Sequence, residues 1–137
     1  MIGISTKTIY AVAALNELGT TPDQDVLKIK EIAARASIPQ SFLEQILLEL
    51  KKQGILSSVK GAYGGYKLAK DLKDITLRDI VQILETDAFS DICRTENPAL
   101  KLFWEDIQQG VEEVFSMPLS ELKNYQMKAN RTLNYSI

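Results

Sequence analysis

The chain has 137 residues, a net charge of −2, 45% hydrophobic residues and 25% charged residues, values typical of one globular domain. Its longest run of aliphatic residues, 11–15, is far shorter than the roughly 20 residues of a membrane-spanning helix. No secretory signal is visible, so we expect a cytoplasmic protein without membrane partners. One cysteine and no histidine exclude an intrachain disulfide, a four-ligand zinc site and Ser-His-Asp or Cys-His catalysis.

Charge is distributed unevenly along the chain. Residues 1–70 contain nine Lys/Arg and six Asp/Glu, whereas residues 71–137 contain seven and twelve. A basic first half and an acidic second half suggest two functions, one of which is nucleic-acid binding. The imbalance is mild, so chance scatter of charges is the alternative.

The first 36 residues predict two helices. Ser5 is a typical N-cap for a helix over residues 6–18, and Gly19 is expected to end it. After a polar loop, residues 28–36 predict a short second helix, followed by a turn at Ser37 and Ile38.

A third helix is predicted over residues 39–53, with Pro39 at its first position, where the missing N–H does no harm. Two short helices, a tight turn and a longer helix form the helix-turn-helix pattern. One face of the third helix predicts a core stripe: Leu43, Ile46, Leu47 and Leu50. A second stripe lies beside it: Ser41, Glu44, Gln45 and Leu48.

A glycine-rich hairpin is predicted next. Residues 55–60 and 66–68 favour strands, and three of the seven glycines lie between them at positions 61–65. A hairpin directly after a helix-turn-helix is a wing, which places its tip against a DNA backbone or minor groove. Lys60 is then at the base, Tyr63 near the tip, and glycine N–H groups such as those of Gly61 and Gly64 can approach phosphates. The alternative is a plain hairpin whose glycines serve geometry only.

The second half predicts a further helix over residues 76–85, with a capping-box-like start at Thr76. A polar loop, residues 86–97, contains Cys93. Pro98 opens the longest helix, which runs to Phe115, and a short helix over 119–127 precedes a loose tail.

The longest helix carries an apolar seam with spacings of three and four residues, too broad for a lone surface helix. We therefore predict a dimer interface, in which Gly110 allows close helix approach. The interface residues are Leu100, Phe103, Trp104, Ile107, Gly110, Val111 and Val114.

Four motifs occur in order along the chain: Ile4-Ser5-Thr6-Lys7-x-x-Tyr10-Ala11, Phe42-Leu43-Glu44-Gln45-Ile46-Leu47, residues 60–69 (KGAYGGYKLA) and residues 75–80 (ITLRDI). Together they resemble the Rrf family of bacterial winged-helix transcription regulators. The resemblance implies a homodimer that binds double-stranded DNA, most often as a repressor. It places the third helix in the major groove and the wing in the minor groove.

Carried over by position, the resemblance implies that Ser41, Phe42, Glu44 and Gln45 face bases or nearby phosphates. Glu44 suits cytosine N4, since a carboxylate accepts its hydrogen bond. A solvated Glu44 and a partly buried Phe42 are the alternatives. The start of the first helix is well placed for phosphate, through Ser5, Thr6 and Lys7.

Members of the family that bind an iron–sulfur cluster place three cysteines in the loop before the long helix, whereas this chain has Cys93 alone. We therefore expect no such cluster, no metal and no other cofactor. The loop and the wing look more like the cluster-free branch that controls cysteine metabolism, whose members respond to a partner enzyme or to thiol oxidation. Cys93 is then either a redox sensor or an inert thiol.

We therefore predict a mainly α-helical protein with a small β-hairpin. A winged helix-turn-helix domain spans residues 1–85, an effector loop 86–97, and a dimerisation helix with a short C-terminal helix 98–137. The predicted function is sequence-specific binding to a pseudo-palindromic operator, without enzyme activity. A winged-helix protein-interaction module, controlled by a partner protein or by Cys93, is the alternative.

Overall fold

A computed structural model describes residues 3–22, 25–89 and 94–135 of the chain. The elements follow in the order α1 Thr6–Gly19, α2 Ile29–Ala36, α3 Gln40–Lys52, β1 Leu56–Val59, β2 Gly65–Leu68, α4 Leu77–Leu84, α5 Pro98–Phe115 and α6 Leu122–Tyr135. This confirms the mainly helical fold with one hairpin. Within those residues, no helix is both long and apolar enough to cross a bilayer.

The core lies where α1, α2, α3 and α4 pack together beneath the hairpin. The predicted stripe of α3 is confirmed, since Leu43, Ile46, Leu47 and Leu50 are completely buried. Ile32 of α2 and Ile80 of α4 join them. Burial of such branched side chains, each worth about 1.5–3 kcal/mol, fixes α3 with its opposite face towards solvent.

The hairpin packs on the helical core and is also bonded to one residue of the α1–α2 connection. β1 and β2 are antiparallel, with Val59 opposite Gly65. Leu27 forms an isolated bridge to Tyr66, and the two residues exchange both backbone hydrogen bonds, at 2.9 and 2.7 Å. The wing is therefore anchored through both strands, by the buried Leu56 of β1 and by the bridge to Tyr66 of β2, while its exposed tip extends from the core.

The three wing glycines serve different purposes. Gly61 has φ = +110°, a conformation that suits glycine. Gly64 and Gly65 have no such backbone, but a Cβ on Gly64 would lie 2.1 Å from the Val59 carbonyl oxygen, and one on Gly65 would lie 2.5 Å from that of Leu27. Close backbone approach, rather than a left-handed turn, therefore requires these two glycines.

The predicted capping box of α4 is confirmed. The Asp79 backbone N–H donates to Thr76 Oγ1 at 3.1 Å, and the Thr76 N–H donates to Asp79 Oδ2 at 3.0 Å. The start of α4 is also bonded to the C-terminal region, because the Leu77 N–H donates to the Met117 carbonyl oxygen at 3.0 Å.

Helix α5 has the predicted bounds and leaves the core. The Asn97 side chain caps its first turn by accepting from the N–H groups of Ala99 and Leu100. None of its residues is buried. A helix of 18 residues with a broad apolar face and no buried side chain has not completed its packing within one chain.

Some predicted boundaries differ from the structure. Gly19 is the last residue of α1 rather than its terminator, because Thr20 forms the C-cap in an ordinary right-handed conformation. Helix α2 begins at Ile29 instead of 28. Pro39 is the N-cap of α3, and Gln53 its C-cap, so α3 spans 40–52 rather than 39–53.

The prediction for the C-terminus was wrong. Instead of a helix over 119–127 and a loose tail, a 3-10 turn at Leu119–Glu121 leads into α6, which continues to Tyr135. The stretch 122–135 contains no Gly or Pro and many good helix formers, so propensity sustains the helix although Tyr125, Met127 and Leu133 stay exposed.

Candidate nucleic-acid interface

Helix α3 presents the predicted reading face to solvent. Ser41, Phe42, Glu44 and Gln45 are all exposed, because the buried stripe of the same helix points the other way. Glu44 makes no ion pair with any residue the structure describes. Its carboxylate is therefore free to accept a hydrogen bond from a ligand.

Phe42 is both exposed and anchored. Its side chain is 61% exposed. Its ring meets the ring of Tyr10 on α1 edge to face, with centroids 6.2 Å apart. Such a contact restricts the ring without covering it, so an apolar surface remains beside Glu44 and Gln45.

The wing presents an aromatic side chain at its tip. Tyr63 is 94% exposed, and Lys60 and Gly61 are exposed as well. Gly64 differs, because it is buried and its N–H donates to the Gly61 carbonyl oxygen at 3.0 Å. Gly64 therefore shapes the turn and does not offer the free N–H group that the sequence suggested.

The start of α1 is engaged by other parts of the chain. The Ser5 N–H and hydroxyl donate to Glu85 Oε1 at 2.7 and 2.6 Å, and Ser5 gives α1 no side-chain cap. Lys7 Nζ donates to Glu49 Oε1 of α3 at 2.7 Å. In this arrangement each of the two side chains already has an acidic partner within the chain. Thr6 is exposed, and its side chain bonds to nothing within the described parts.

Glu85, which the sequence did not single out, is the acid that caps α1. Besides Ser5, the hydroxyl of the buried Thr8 donates to Glu85 Oε1 at 2.7 Å. The Ser5 hydroxyl bond lowers the pKa of the Glu85 carboxyl below its ordinary value. The Ser5 N–H, the Thr8 hydroxyl and the Lys7 ammonium act in the same direction, and burial opposes them. Because 80 residues separate Ser5 from Glu85, no local sequence pattern reveals this contact.

The lowered pKa predicts a pH-dependent contribution to stability. A carboxyl whose pKa falls on folding stabilises the protein above its unfolded pKa of about 4.3, and this stabilisation is lost as the pH falls through the folded pKa. We expect Glu85→Gln to lower the free energy of unfolding by about 1 kcal/mol at pH 7, because a neutral amide oxygen accepts these hydrogen bonds more weakly than a carboxylate does. The difference from wild type should shrink below about pH 4.

Thermal unfolding of both proteins between pH 3 and pH 8 measures this difference. Glu105→Gln, in an exposed part of α5, is the matched control and should follow wild type throughout. A Glu85→Gln deficit of equal size at pH 3 and pH 7 would show that the charge of Glu85 contributes nothing.

The predicted dimer seam lies on the uncovered side of α5. Its apolar side chains are between 41% and 70% exposed, and the rings of Phe103 and Trp104 meet edge to face, with centroids 5.1 Å apart. A Cβ added to Gly110 would meet no atom within 4 Å. The seam is thus an apolar strip that its own chain leaves in solvent, a feature typical of interaction surfaces.

A cluster that sequence reasoning missed joins α5 to the rest of the chain. The Arg78 guanidinium of α4 lies 5.4 Å from the centre of the Phe89 ring and 3.5 Å from Glu112 Oε1. Phe89 also meets the ring of Phe115 at 5.6 Å, and its carbonyl oxygen accepts from Gln108 at 3.3 Å. These contacts fix the beginning of the 86–97 loop between α4 and α5.

The predicted sensor, Cys93, lies outside the described residues. Within residues 3–22, 25–89 and 94–135, no group of three or more Asp, Glu, Cys or His side chains is placed to hold a metal ion. With one cysteine and no histidine, the donor set of the chain does not fit an iron–sulfur cluster held by three or four thiolates.

The chain resembles known regulators over nearly its whole length. The family model of Rrf2, described as an iron-dependent transcriptional regulator, matches residues 4–124. The transcriptional regulator CymR of Bacillus subtilis is 33% identical over 124 residues, which cover 89% of this chain and 90% of CymR.

Solved structures agree with this similarity. The structure of CymR, the global cysteine regulator of B. subtilis, matches 91% of this chain and 98% of the CymR chain, with a TM-score of 0.79 at 33% identity. The T. potens IscR structure covers 92% of this chain and 89% of its own, with a TM-score of 0.75 at 31% identity. Both the sequence motifs and the backbone therefore match one group of proteins.

Proposed function

Because the chain belongs to the Rrf2 family of transcriptional regulators, we propose that it is a repressor that binds a pseudo-palindromic operator as a homodimer. The family establishes that the chain is a DNA-binding transcription regulator. The operator symmetry, the repression and the residues that read DNA are our proposal. We assign it no catalytic activity, and we place it in the cytoplasm with the DNA.

The observation that carries the proposal is the exposed face of α3. Four side chains that differ in chemistry stand together on one exposed face of a helix whose opposite face is buried. A helix held in this way enters the major groove as a rigid body. Glu44 accepts from cytosine N4, Gln45 addresses adenine or a phosphate, and Ser41 and Phe42 contact the adjacent backbone.

The wing supplies contacts that do not depend on base sequence. Tyr63 and Gly61 at the tip enter the minor groove, and Lys60 at the base contacts a phosphate. At the start of α1, Thr6 is the proposed phosphate contact, since Ser5 and Lys7 already have partners. Gly64 supports the wing through its turn.

The dimer follows from the exposed seam of α5. Two copies of the seam, related by a twofold axis, cover each other's apolar side chains and set the separation of the two reading helices. We place the winged helix-turn-helix domain at 1–85, the effector loop at 86–97 and the dimerisation region at 98–137. Control by a partner enzyme, or by oxidation of Cys93, acts through that loop.

Lys60→Ala should weaken binding to all DNA alike, because a phosphate contact carries no base information. We expect roughly a three- to tenfold loss of affinity, and a slope of log K against log salt that is smaller by about 1 per protomer. Fluorescence anisotropy with operator and random duplexes over a salt series measures both. Lys101→Ala, on α5, is the control. A loss confined to the operator would contradict the phosphate assignment.

The decisive experiment is selection of fragmented genomic DNA by the purified protein, in reduced and in peroxide-treated samples. Recovery of one palindromic motif supports the proposal and identifies the operator. Loss of the motif on oxidation, with recovery under dithiothreitol and no loss in Cys93→Ser, makes Cys93 the sensor. Equal recovery in both samples argues against a redox role. If neither sample enriches a motif, the operator proposal fails and a protein-interaction module takes its place.

A further inference from the structure

The start of α1 is bonded to the residue that follows α4. Three hydrogen bonds, all of 2.6–2.7 Å, converge on Glu85 Oε1 from the Ser5 N–H, the Ser5 hydroxyl and the Thr8 hydroxyl. Thr8 is 1% exposed, so its hydroxyl has few alternatives to this acceptor. One carboxylate therefore holds the first turn of α1 from a distant part of the chain.

The same turn of α1 is bonded to the reading helix. Lys7, between Ser5 and Thr8, donates to Glu49 Oε1 of α3 at 2.7 Å, with about a third of each side chain exposed. Glu49 lies on α3 after the exposed reading residues. The first turn of α1 is thus linked both to Glu85 and to the helix that carries Glu44.

The segment that follows Glu85 is also fixed. Four residues later, Phe89 packs against Phe115 of α5 and beneath the guanidinium of Arg78. A shift of this segment would move Glu85, and the hydrogen bonds that Glu85 accepts from Ser5 and Thr8 would carry that shift to α1. This physical path consists of contacts within the chain and requires no ligand.

We propose that Glu85 is a positioning residue for DNA binding, which acts through Ser5, Thr8 and the Lys7–Glu49 pair to fix the orientation of α3. The inference rests on the proposed function, and it adds a residue outside the DNA-binding surface that determines how α3 is oriented there. It also gives Lys7 a different role from the one its position suggests, because the ammonium supports α3 and does not contact a phosphate.

Glu85→Ala tests the first link. It removes the acceptor, and we expect operator affinity to fall about tenfold, within the 5–150-fold range of coupling between sites, while affinity for random DNA changes little. Glu85→Gln keeps an acceptor oxygen and should retain most of the operator affinity. Binding is measured well below the unfolding temperature of each variant, and size-exclusion chromatography verifies the dimer. Under these conditions a loss of stability alone leaves the ratio of operator affinity to random-DNA affinity unchanged.

A charge swap tests the second link. Lys7→Glu and Glu49→Lys each break the ion pair and should lower the ratio of operator to random affinity. The double variant restores an ion pair with reversed polarity and the same net charge. We expect it to recover a ratio within about threefold of wild type, as a double-mutant cycle on interacting residues predicts. If Lys7 instead contacts a phosphate directly, Lys7→Glu weakens operator and random DNA alike, so their ratio stays unchanged and the double variant does not recover the lost affinity.

The outcomes separate this inference from the proposed function. If wild type selects no motif from genomic DNA, the operator proposal fails, and the inference fails with it. If wild type binds its operator and Glu85→Ala binds it equally well, or more tightly, the inference alone is overturned. Failure of the charge swap to restore the ratio removes Lys7 and Glu49 from the path.

Discussion

Ile107→Asp is expected to yield a folded monomer that has lost operator binding. Ile107 lies in the middle of the α5 seam and is 47% exposed in the single chain. In the proposed dimer it is covered, and two aspartates near the twofold axis would place unpaired charges in an apolar contact. The fold should persist, because α5 contributes no buried residue to the core.

Loss of the dimer separates the two reading helices, so each half-site is bound independently. Linked binding commonly exceeds single-site affinity by a factor of about 10² to 10⁴, and we therefore expect operator affinity to fall at least about 100-fold. Sedimentation or size-exclusion chromatography gives the oligomeric state, and circular dichroism gives the helix content.

Leu102→Asp is the matched control for this change. Leu102 is 64% exposed on α5, but its position in the helical repeat is far from the seam. The same substitution there should leave both the dimer and operator binding intact. If Ile107→Asp remains a dimer, the seam of α5 is not the dimer interface. Loss of the dimer in both variants would indicate that the interface extends to the Leu102 side of α5 and is not limited to the seam.

Elements with a strong local pattern were predictable from the sequence. The stripe of Leu43, Ile46, Leu47 and Leu50 repeats at helical spacing, and all four residues are buried. Helix α5 begins at Pro98 and ends at Phe115 as predicted, because a proline and an apolar periodicity mark its extent. Helix α6 is more polar than α5, and no glycine or proline marks its end, so its extent was underestimated.

Contacts between distant residues were not predictable in this way. Leu27 joins the sheet as a single bridged residue, too short for an alternating strand pattern. Ser5 is the N-cap residue of α1 as predicted, but its hydroxyl donates to Glu85 and not to the helix. Lys7 likewise donates to Glu49, and the spacing of residues along the chain reveals neither acid. Similarly, the need for Gly65 arises from the Leu27 carbonyl oxygen, which the fold alone brings near.

For the exposed residues of α3, the sequence predicts the exposure of the side chains but not their partners. Their exposure follows from the helical period, and the structure confirms it for Ser41, Phe42, Glu44 and Gln45. Their assignment to particular bases depends on DNA geometry and stays a prediction. The most informative of the four is Glu44, because a carboxylate next to DNA is repelled by every phosphate and needs a specific partner to be favourable.

Glu44→Ala is therefore expected to remove the preference for one base pair in each half-site. A specific contact to a base edge discriminates by about 1–3 kcal/mol, so the dimer should lose roughly twice that in the free-energy difference between operator and mismatched DNA. Affinity for random DNA should rise, because the change removes a negative charge from the surface that approaches phosphates. Stability should hold, since Glu44 is exposed and alanine favours helices.

Selection from a pool of operators randomised at each position measures the preference base by base. A signature of lost cytosine preference at one position of each half-site, with the other positions unchanged, identifies the base that Glu44 reads. Glu105→Ala removes the same charge from α5 and should alter no position, which separates base reading from net charge. An unchanged pattern in Glu44→Ala would mean that α3 binds in another register, with Gln45 or Ser41 at the base edges. The dimer and the wing contacts would then remain valid, because neither depends on which residue of α3 reads the base.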